Sequence, residues 1–130
     1  MPRTLLHIDD DSLFRRALRR VFERSGWSVR EAIHGKDGFV SAQDDPPEAI
    51  LLDIRMPVQD GFETLRALKA HSETRNIPVI MCSSLGSKED IQFCLNAGAS
   101  GYLVKMHHQP EEMCAYVERL LISLTPTPSE

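Results

Sequence analysis

The sequence predicts an α/β fold in which a parallel sheet of five strands is covered by helices on both faces. Apolar segments of strand length alternate with amphipathic helical segments five times along the 130 residues. Short connections between such units require right-handed crossovers, which produce an open, doubly wound sheet. We therefore expect one (βα)5 domain at residues 1–124 and a short tail at 125–130, the start of a linker.

The first βα unit is marked by an apolar strand and a helix with clear capping signals. The strand is predicted at Thr4–Ile8. Asp11 or Ser12 is suited to cap the start of the following helix, and Gly26 is suited to its end. A second strand is predicted at Trp27–Ala32. The helix is expected to bury one continuous apolar stripe, which consists of Leu13, Phe14, Ala17, Leu18, Val21 and Phe22.

The middle of the chain contains a buried strand that ends in a carboxylate. A second helix is predicted at Lys36–Gln43, and the strand follows at Glu48–Asp53. The segment Met56–Gly61 is predicted as a loop, because its proline blocks helix propagation and Asp-Gly is typical of a turn or a cap. The third helix then places three apolar residues on one face, namely Phe62, Leu65 and Leu68.

The last two units complete the pattern. Ile77–Ser83 is almost entirely apolar, as expected for a strand covered on both faces. Ser87 is suited to cap a helix at Lys88–Asn96. The fifth strand is predicted at Gly101–Lys105, and the last helix begins at Pro110, a residue favoured in the first turn, and runs to about residue 124.

Composition and charge exclude several classes of protein. The chain is 42% hydrophobic and 26% charged, which is ordinary for a globular domain and excludes disordered, collagenous and coiled-coil classes. The formal charge of −4 opposes binding to nucleic acid or anionic lipid by this domain alone. With no long apolar segment and no signal peptide, the expected location is cytoplasmic, without membrane contact. Three scattered cysteines are predicted as small buried hydrophobic residues rather than a disulfide or zinc site: Cys82, Cys94 and Cys114.

Three carboxylates are predicted to meet at one edge of the sheet. Asp9 and Asp10 follow the first strand, and Asp53 ends the third. In an open α/β sheet the ligand lies beyond the carboxyl ends of the strands where the strand order reverses, here between strands one and three. Clustered carboxylates repel one another unless a cation is bound. Oxygen ligands with room for water favour Mg2+.

Two groups of opposite character follow the neighbouring strands. Ser83 offers a hydroxyl at the end of the fourth strand, and Lys105 offers an ammonium at the end of the fifth. A site with carboxylates and a metal on one side and a hydroxyl and a cation on the other is suited to a phosphoryl group. Asp53 is then a candidate nucleophile.

Four segments in order resemble the receiver domain of two-component response regulators, which are CheY-like proteins. The resemblance covers about residues 3–123. It implies the flavodoxin-like strand order 2-1-3-4-5 and a protein that signals rather than an ordinary enzyme. The four segments are His7-Ile-Asp9-Asp10, Leu52-Asp53-Ile-Arg-Met56-Pro57 with Asp60-Gly61, Met81-Cys-Ser83-Ser84, and Ala97-Gly-Ala-Ser-Gly-Tyr102-Leu-Val-Lys105.

The resemblance implies a phosphorelay role. Asp53 would accept a phosphoryl group from a histidine kinase or phosphotransfer protein, in a Mg2+-dependent reaction that the domain itself catalyses and slowly reverses by hydrolysis. Asp10 and Asp53 would bind Mg2+ together with the backbone carbonyl of Arg55, and Asp9 would reach the ion through water. Lys105, Ser83 and the amide of Ser84 would hold the phosphoryl oxygens.

The resemblance also implies a switch. Ser83 would move toward the phosphoryl group, and Tyr102 would rotate inward, changing the surface that an unknown downstream protein reads. This sequence departs from the family where Met106 replaces the usual proline after Lys105, and a trans Lys105–Met106 bond is expected. Arg55 and Leu85 stand where the family tunes phosphoryl hydrolysis. Five arginines of the first helix are a solvated face or a kinase-docking surface: Arg15, Arg16, Arg19, Arg20 and Arg24.

Three other functions compete with this interpretation. A phosphatase of the haloacid-dehalogenase type would carry a second Asp two residues after Asp53, where this chain has Arg55. A flavodoxin-like cofactor binder would have a Ser-, Thr- and Gly-rich first loop, but Asp9-Asp10-Asp11 would repel a phosphate. A degenerate receiver that binds a partner without phosphorylation remains the alternative.

Overall fold

The computed structural model describes residues 3–56, 60–84 and 86–124. The strands are β1 (Thr4–Ile8), β2 (Ser28–Ala32), β3 (Ala49–Leu52), β4 (Val79–Ser83) and β5 (Gly101–Val104). They form one parallel sheet in the order β2-β1-β3-β4-β5, which confirms the predicted architecture. The helices are α1 (Ser12–Arg24), α2 (Gly35–Asp44), α3 (Gly61–Ala70), α4 (Lys88–Asn96) and α5 (Pro110–Leu124), with a 3-10 turn at Lys105–His107.

The sheet is buried on both faces by two separate apolar clusters. Leu6, Ile8 and Ile50 belong to the cluster on one face, which also includes Leu65 and Leu68 of α3. Leu5 and Leu51 belong to the other, together with α1 and α5 residues. Because neighbouring residues of a strand point to opposite faces, a run of consecutive apolar residues is what a doubly covered strand requires.

Helix α1 corrects one expectation about its apolar stripe. Leu18, Val21 and Phe22 are buried as predicted, whereas the Leu13 side chain is 75% exposed and Ala17 is also exposed. A helix turns about 100° per residue, so Leu13 lies about 140° around the axis from Leu18. The predicted stripe was too wide for one face. Asp11, not Ser12, is the cap, since its side chain accepts hydrogen bonds from the amides of residues 13 and 14.

The other differences lie at the ends of elements: α2 extends one residue beyond each predicted end, Lys36 and Gln43, and Gly61, predicted in the loop, begins α3. The predicted strands began one or two residues earlier at Trp27, Glu48 and Ile77, and Asp53 lies just after β3. Lys105 belongs to the 3-10 turn rather than to β5. The cysteines are free and buried, as predicted. The expected tail at 125–130 and the middle of the loop before α3 lie outside the described residues, and in the described part of the chain no helix could cross a bilayer.

Candidate functional site

The predicted carboxylates come together at the carboxyl edge of the sheet. β1 pairs with both β2 and β3, so the loops after β1 and β3 flank the point where the strand order reverses. Asp9, Asp10 and Asp53 each offer an oxygen, and these oxygens lie within 4.8 Å of one another. Asp9 and Asp53 are buried, while Asp10 is exposed. One side of the cluster therefore opens to solvent.

Asp53 is a buried carboxylate in a strongly perturbed environment. The residue is only 6% exposed, and its Oδ1 accepts a hydrogen bond from the amide of Ile54 at 2.8 Å. Burial and the nearby charge of Asp9 raise its pKa to about 6, against the opposing influence of Lys105 and Ser83. Because the ionised form of this carboxyl is unfavourable, a bound cation would stabilise it, and a bond to phosphorus would remove the charge from the carboxylate oxygen.

Asp9 lies in the same pocket but has the opposite electrostatic balance. Burial raises its pKa, yet the neighbouring His7 and Lys105 side chains outweigh burial and leave the pKa below its usual value. Its Oδ1 accepts the amide hydrogen of Asp11 at 2.9 Å, and His7 Nε2 lies 3.7 Å from its Oδ2. Asp9 is thus held as an anion, which is the form that attracts a metal ion.

Lys105 reaches the carboxylates although Met106, rather than a proline, follows it. Its Nζ lies 2.8 Å from Oδ2 of Asp9 and 3.6 Å from Oδ2 of Asp53. Burial lowers its pKa, but the two carboxylates outweigh burial, so the pKa is raised. The Lys105–Met106 bond is trans, as predicted, since the described residues contain no cis bond. The 3-10 turn there directs the ammonium to the site without a proline.

The charges of the site fit a hard divalent cation. Three carboxylates face one ammonium, which leaves a formal charge of −2 in a partly buried pocket. Carboxylate oxygens with an open, hydrated side form the ligand set that Mg2+ prefers. The arrangement fits a metal ion that keeps several of its waters.

The remaining predicted site residues differ in burial and in their contacts with Asp53. Ser83 is fully buried, and its side chain hydrogen-bonds both the Asp53 carboxylate and the Tyr102 hydroxyl. Tyr102 is half-buried, and burial raises its pKa to about 12. Ser84 and the side chain of Arg55 are exposed. Leu85 lies outside the described residues.

Two residues, Phe14 and Gly61, have roles at the site that were not identified from the sequence. Phe14 places its ring 4.5 Å below the Lys105 ammonium and packs edge-on against His7, with ring centroids 5.5 Å apart. Gly61 begins α3 against the backbone of Asp53, where an added Cβ would lie 2.2 Å from the Asp53 carbonyl oxygen. The Asp-Gly pair signalled a turn, but nothing in the sequence signals this close approach.

Comparison with known proteins agrees with this geometry. The sequence profile of the family described as response regulator receiver domain matches residues 5–118. The chain is 38% identical over 116 residues, 89% of its length, to a gliding motility regulatory protein of Myxococcus xanthus, of which it covers 15%. It is 31% identical to the chemotaxis protein CheY of Halobacterium salinarum, covering 88% of this chain and 94% of that protein.

A solved structure gives the same fold. The chemotaxis response regulator CheY4 of Vibrio cholerae superposes with a TM-score of 0.85 at 28% identity, covering 92% of this chain and 99% of that one. The chain spans less than half the length of several transcriptional regulators that it matches. With the family profile spanning most of the chain and the predicted strand order observed, this protein belongs to the family of response regulator receiver domains of two-component systems.

Proposed function

We propose that this domain accepts a phosphoryl group on Asp53 from a histidine kinase or a phosphotransfer protein. The observation that carries the proposal is the pairing of a buried Asp53 with two further carboxylates and with the Lys105 ammonium, 3.6 Å away. A carboxylate oxygen of Asp53 bonds to phosphorus while the bond from phosphorus to the donor breaks, and the donor leaves with the electron pair. Little other covalent chemistry is needed, because positioning and charge neutralisation supply most of the catalysis.

Mg2+ is the proposed cofactor. Asp10, Asp53 and the backbone carbonyl of Arg55 would hold it directly, and Asp9 would hold it through water. When bound, the ion neutralises charge on the transferring oxygens. Lys105 and Ser83 would bind the phosphoryl oxygens from the other side, and the exposed Ser84 would donate its backbone amide. The short distance from Lys105 to Asp9 supports this assignment, because the ammonium already lies within the pocket.

Intact mass spectrometry after incubation with acetyl phosphate and Mg2+ tests the proposal. We expect the wild-type protein to gain one phosphoryl group and Asp53→Asn to gain none. Asp45→Asn is the matched control, since that side chain is 85% exposed and remote from the site. If the wild-type protein gains nothing, the alternative applies, in which a degenerate receiver binds its partner without phosphorylation.

The proposed switch links the site to the surface of α4, β5 and α5. Ser83 contacts both Asp53 and Tyr102, so a change at the carboxylate reaches the aromatic side chain through one residue. A two-state equilibrium shifts only when a contact differs between the states. Ser83→Ala should still accept the phosphoryl group but lose most of the response on α4. A full set of chemical-shift changes on α4 in that variant would contradict the switch.

Helix α1 is the proposed docking surface for the phosphoryl donor. Arg15 and Arg19 pair with Glu31, whereas Arg16 and Arg20 are exposed. Arg16→Glu with Arg20→Glu should slow transfer from a cognate kinase and leave acetyl phosphate labelling unchanged. Equal transfer rates in both proteins would assign these arginines to a solvated face. An Arg75→Glu variant provides a control at another exposed arginine.

The exposed Arg55 side chain is proposed to slow dephosphorylation. A cation beside the phosphoryl group would screen it from attacking water. Arg55→Ala should therefore shorten the half-life of the phosphorylated protein, and an unchanged half-life would refute this role. We further propose that the receiver domain spans residues 1–124, works in the cytoplasm and passes its signal to a protein, without contacting nucleic acid or membrane by itself.

A further inference from the structure

A groove between α3 and α4 has an aromatic floor that is open to solvent. It has a volume of about 440 Å³, within the range of ligand-binding clefts. Phe62 and Phe93 meet edge to face in it, with ring centroids 5.0 Å apart. Phe93 remains 47% exposed, although it is one of the largest apolar side chains of the domain. Exposed aromatic surface beside polar residues is typical of a binding site.

The rim of the groove is strongly acidic. Four carboxylates line it against a single guanidinium, which gives the groove a formal charge of −3. These residues are Asp60, Glu63, Glu89 and Asp90, with Arg66. Such a rim attracts a cationic partner and rejects an anionic one. It also opposes the meeting of two identical grooves, as a symmetric dimer on this face would require.

We propose that this groove binds an amphipathic basic segment of a protein partner. An apolar side chain of that segment would cover Phe62 and Phe93, and its lysine or arginine side chains would face the carboxylates. Protein interfaces commonly have an aromatic, apolar centre surrounded by a charged or polar rim. The groove lies between α3 and α4 and is acidic, so it is distinct from the basic α1 surface proposed for the phosphoryl donor.

Both walls of the groove follow strands whose ends carry residues of the proposed site. α3 starts at Gly61, whose amide donates to the carbonyl of Ile54 at 2.7 Å, directly after Asp53. α4 starts soon after Ser83, with Ser87 as its cap. We therefore expect a change at Asp53 or Ser83 to act on the starts of both helices. This coupling rests on the proposed phosphorylation, whereas the binding itself does not.

The test uses a short amphipathic peptide with lysines flanking one tryptophan, and a copy with glutamate in place of each lysine. Binding is measured by fluorescence anisotropy and mapped by amide chemical shifts on the wild-type protein. We expect the basic peptide to shift residues around Phe62 and Phe93, and the acidic copy to shift none. Phe93→Ala and the pair Glu89→Lys with Asp90→Lys should each weaken binding about tenfold or more.

The matched control reverses the same number of charges elsewhere. Asp37 and Glu111 are exposed first-turn acids of α2 and α5, so Asp37→Lys with Glu111→Lys should leave binding close to that of the wild type. Equal weakening in both double variants, or shifts outside the groove, would overturn the proposal. Self-association that Phe93→Ala abolishes would assign the groove to a second copy and would also overturn it.

The coupling is measured separately. Acetyl phosphate and Mg2+ are added to the wild-type protein and to Asp53→Asn, and phosphoryl uptake is followed by mass. We expect the affinity for the basic peptide to change in the wild-type protein only. Uptake without any change in affinity would refute the coupling and leave the proposed function standing. Absence of uptake would refute the proposed function, and the groove would still be judged by its own variants.

Discussion

Replacing Asp53 by asparagine should stabilise the metal-free protein at neutral pH. The folded state holds this carboxyl at a pKa of about 6, well above the reference value of 3.8. Because the folded protein binds the proton more tightly than the unfolded chain, the carboxyl favours folding at low pH. That contribution is complete below pH 3.8 and is lost as the pH rises through about 6.

The size of the effect follows from the same two pKa values. A rise from 3.8 to about 6 corresponds to about 3 kcal/mol once the group is fully ionised. Asparagine removes the charge, and its side-chain oxygen retains the hydrogen bond from the Ile54 amide. Since local rearrangement and water relieve part of the cost in the wild-type protein, we expect Asp53→Asn to be more stable by about 1–3 kcal/mol at pH 8.

Urea unfolding in EDTA, from pH 4 to pH 8, measures the difference between the two proteins. The two curves should nearly coincide at pH 4 and separate as the pH rises. Mg2+ should then narrow the gap at pH 8, because it binds the folded wild-type protein and stabilises it by mass action. Asp45→Asn should show no such pH-dependent gap. A difference that is the same at every pH would refute the electrostatic explanation.

Three further changes test other contacts of the site. Gly61→Ala should lower the free energy of unfolding by about 1–3 kcal/mol and slow phosphoryl uptake, because the new Cβ meets the Asp53 carbonyl; unchanged urea midpoints would argue against this contact. Lys105→Ala should raise the pKa of both Asp53 and Asp9, because the ammonium lowers both values in the wild-type protein. Carboxyl NMR titration in EDTA measures these pKa values, and a lower pKa at either residue would contradict the ion pairs. Phe14→Leu should slow acetyl phosphate labelling and lower the free energy of unfolding by about 0.5–1 kcal/mol, because the contact of the ring with the ammonium is lost. Labelling at the wild-type rate would show that Phe14 contributes to packing alone.

The order of the elements and their types could be predicted from the sequence, because local signals mark them strongly. Ser87 and Pro110 fixed the starts of α4 and α5, and both helices have the predicted bounds. Strand ends were less accurate, since an apolar residue such as Ile77 continues the pattern without pairing in the sheet. Leu13 was wrongly placed in the buried stripe because the core covers a narrower arc of α1 than the apolar residues do.

The convergence of the site residues could also be predicted, for a topological reason. Parallel strands bring their carboxyl ends to one edge, so Asp9, Asp53 and Lys105 had to lie near one another once the strand order was known. The contributions of Phe14 and Gly61 could not be predicted in this way. Each depends on a distance of a few ångströms between segments that are far apart in the chain, and no periodicity or motif encodes such a distance.

The position of Ser83 suggests how the chemistry at Asp53 and the state of Tyr102 are joined. A serine hydroxyl has a single proton to donate and an oxygen that accepts. The arrangement that satisfies all three groups is a chain, in which Tyr102 donates to Ser83 and Ser83 donates to the Asp53 carboxylate. In the proposed switch, a phosphoryl group on Asp53 would replace the last acceptor with oxygens in a new position. Ser83 would then turn to follow them, and the hydrogen bond of Tyr102 is the contact that this movement would break.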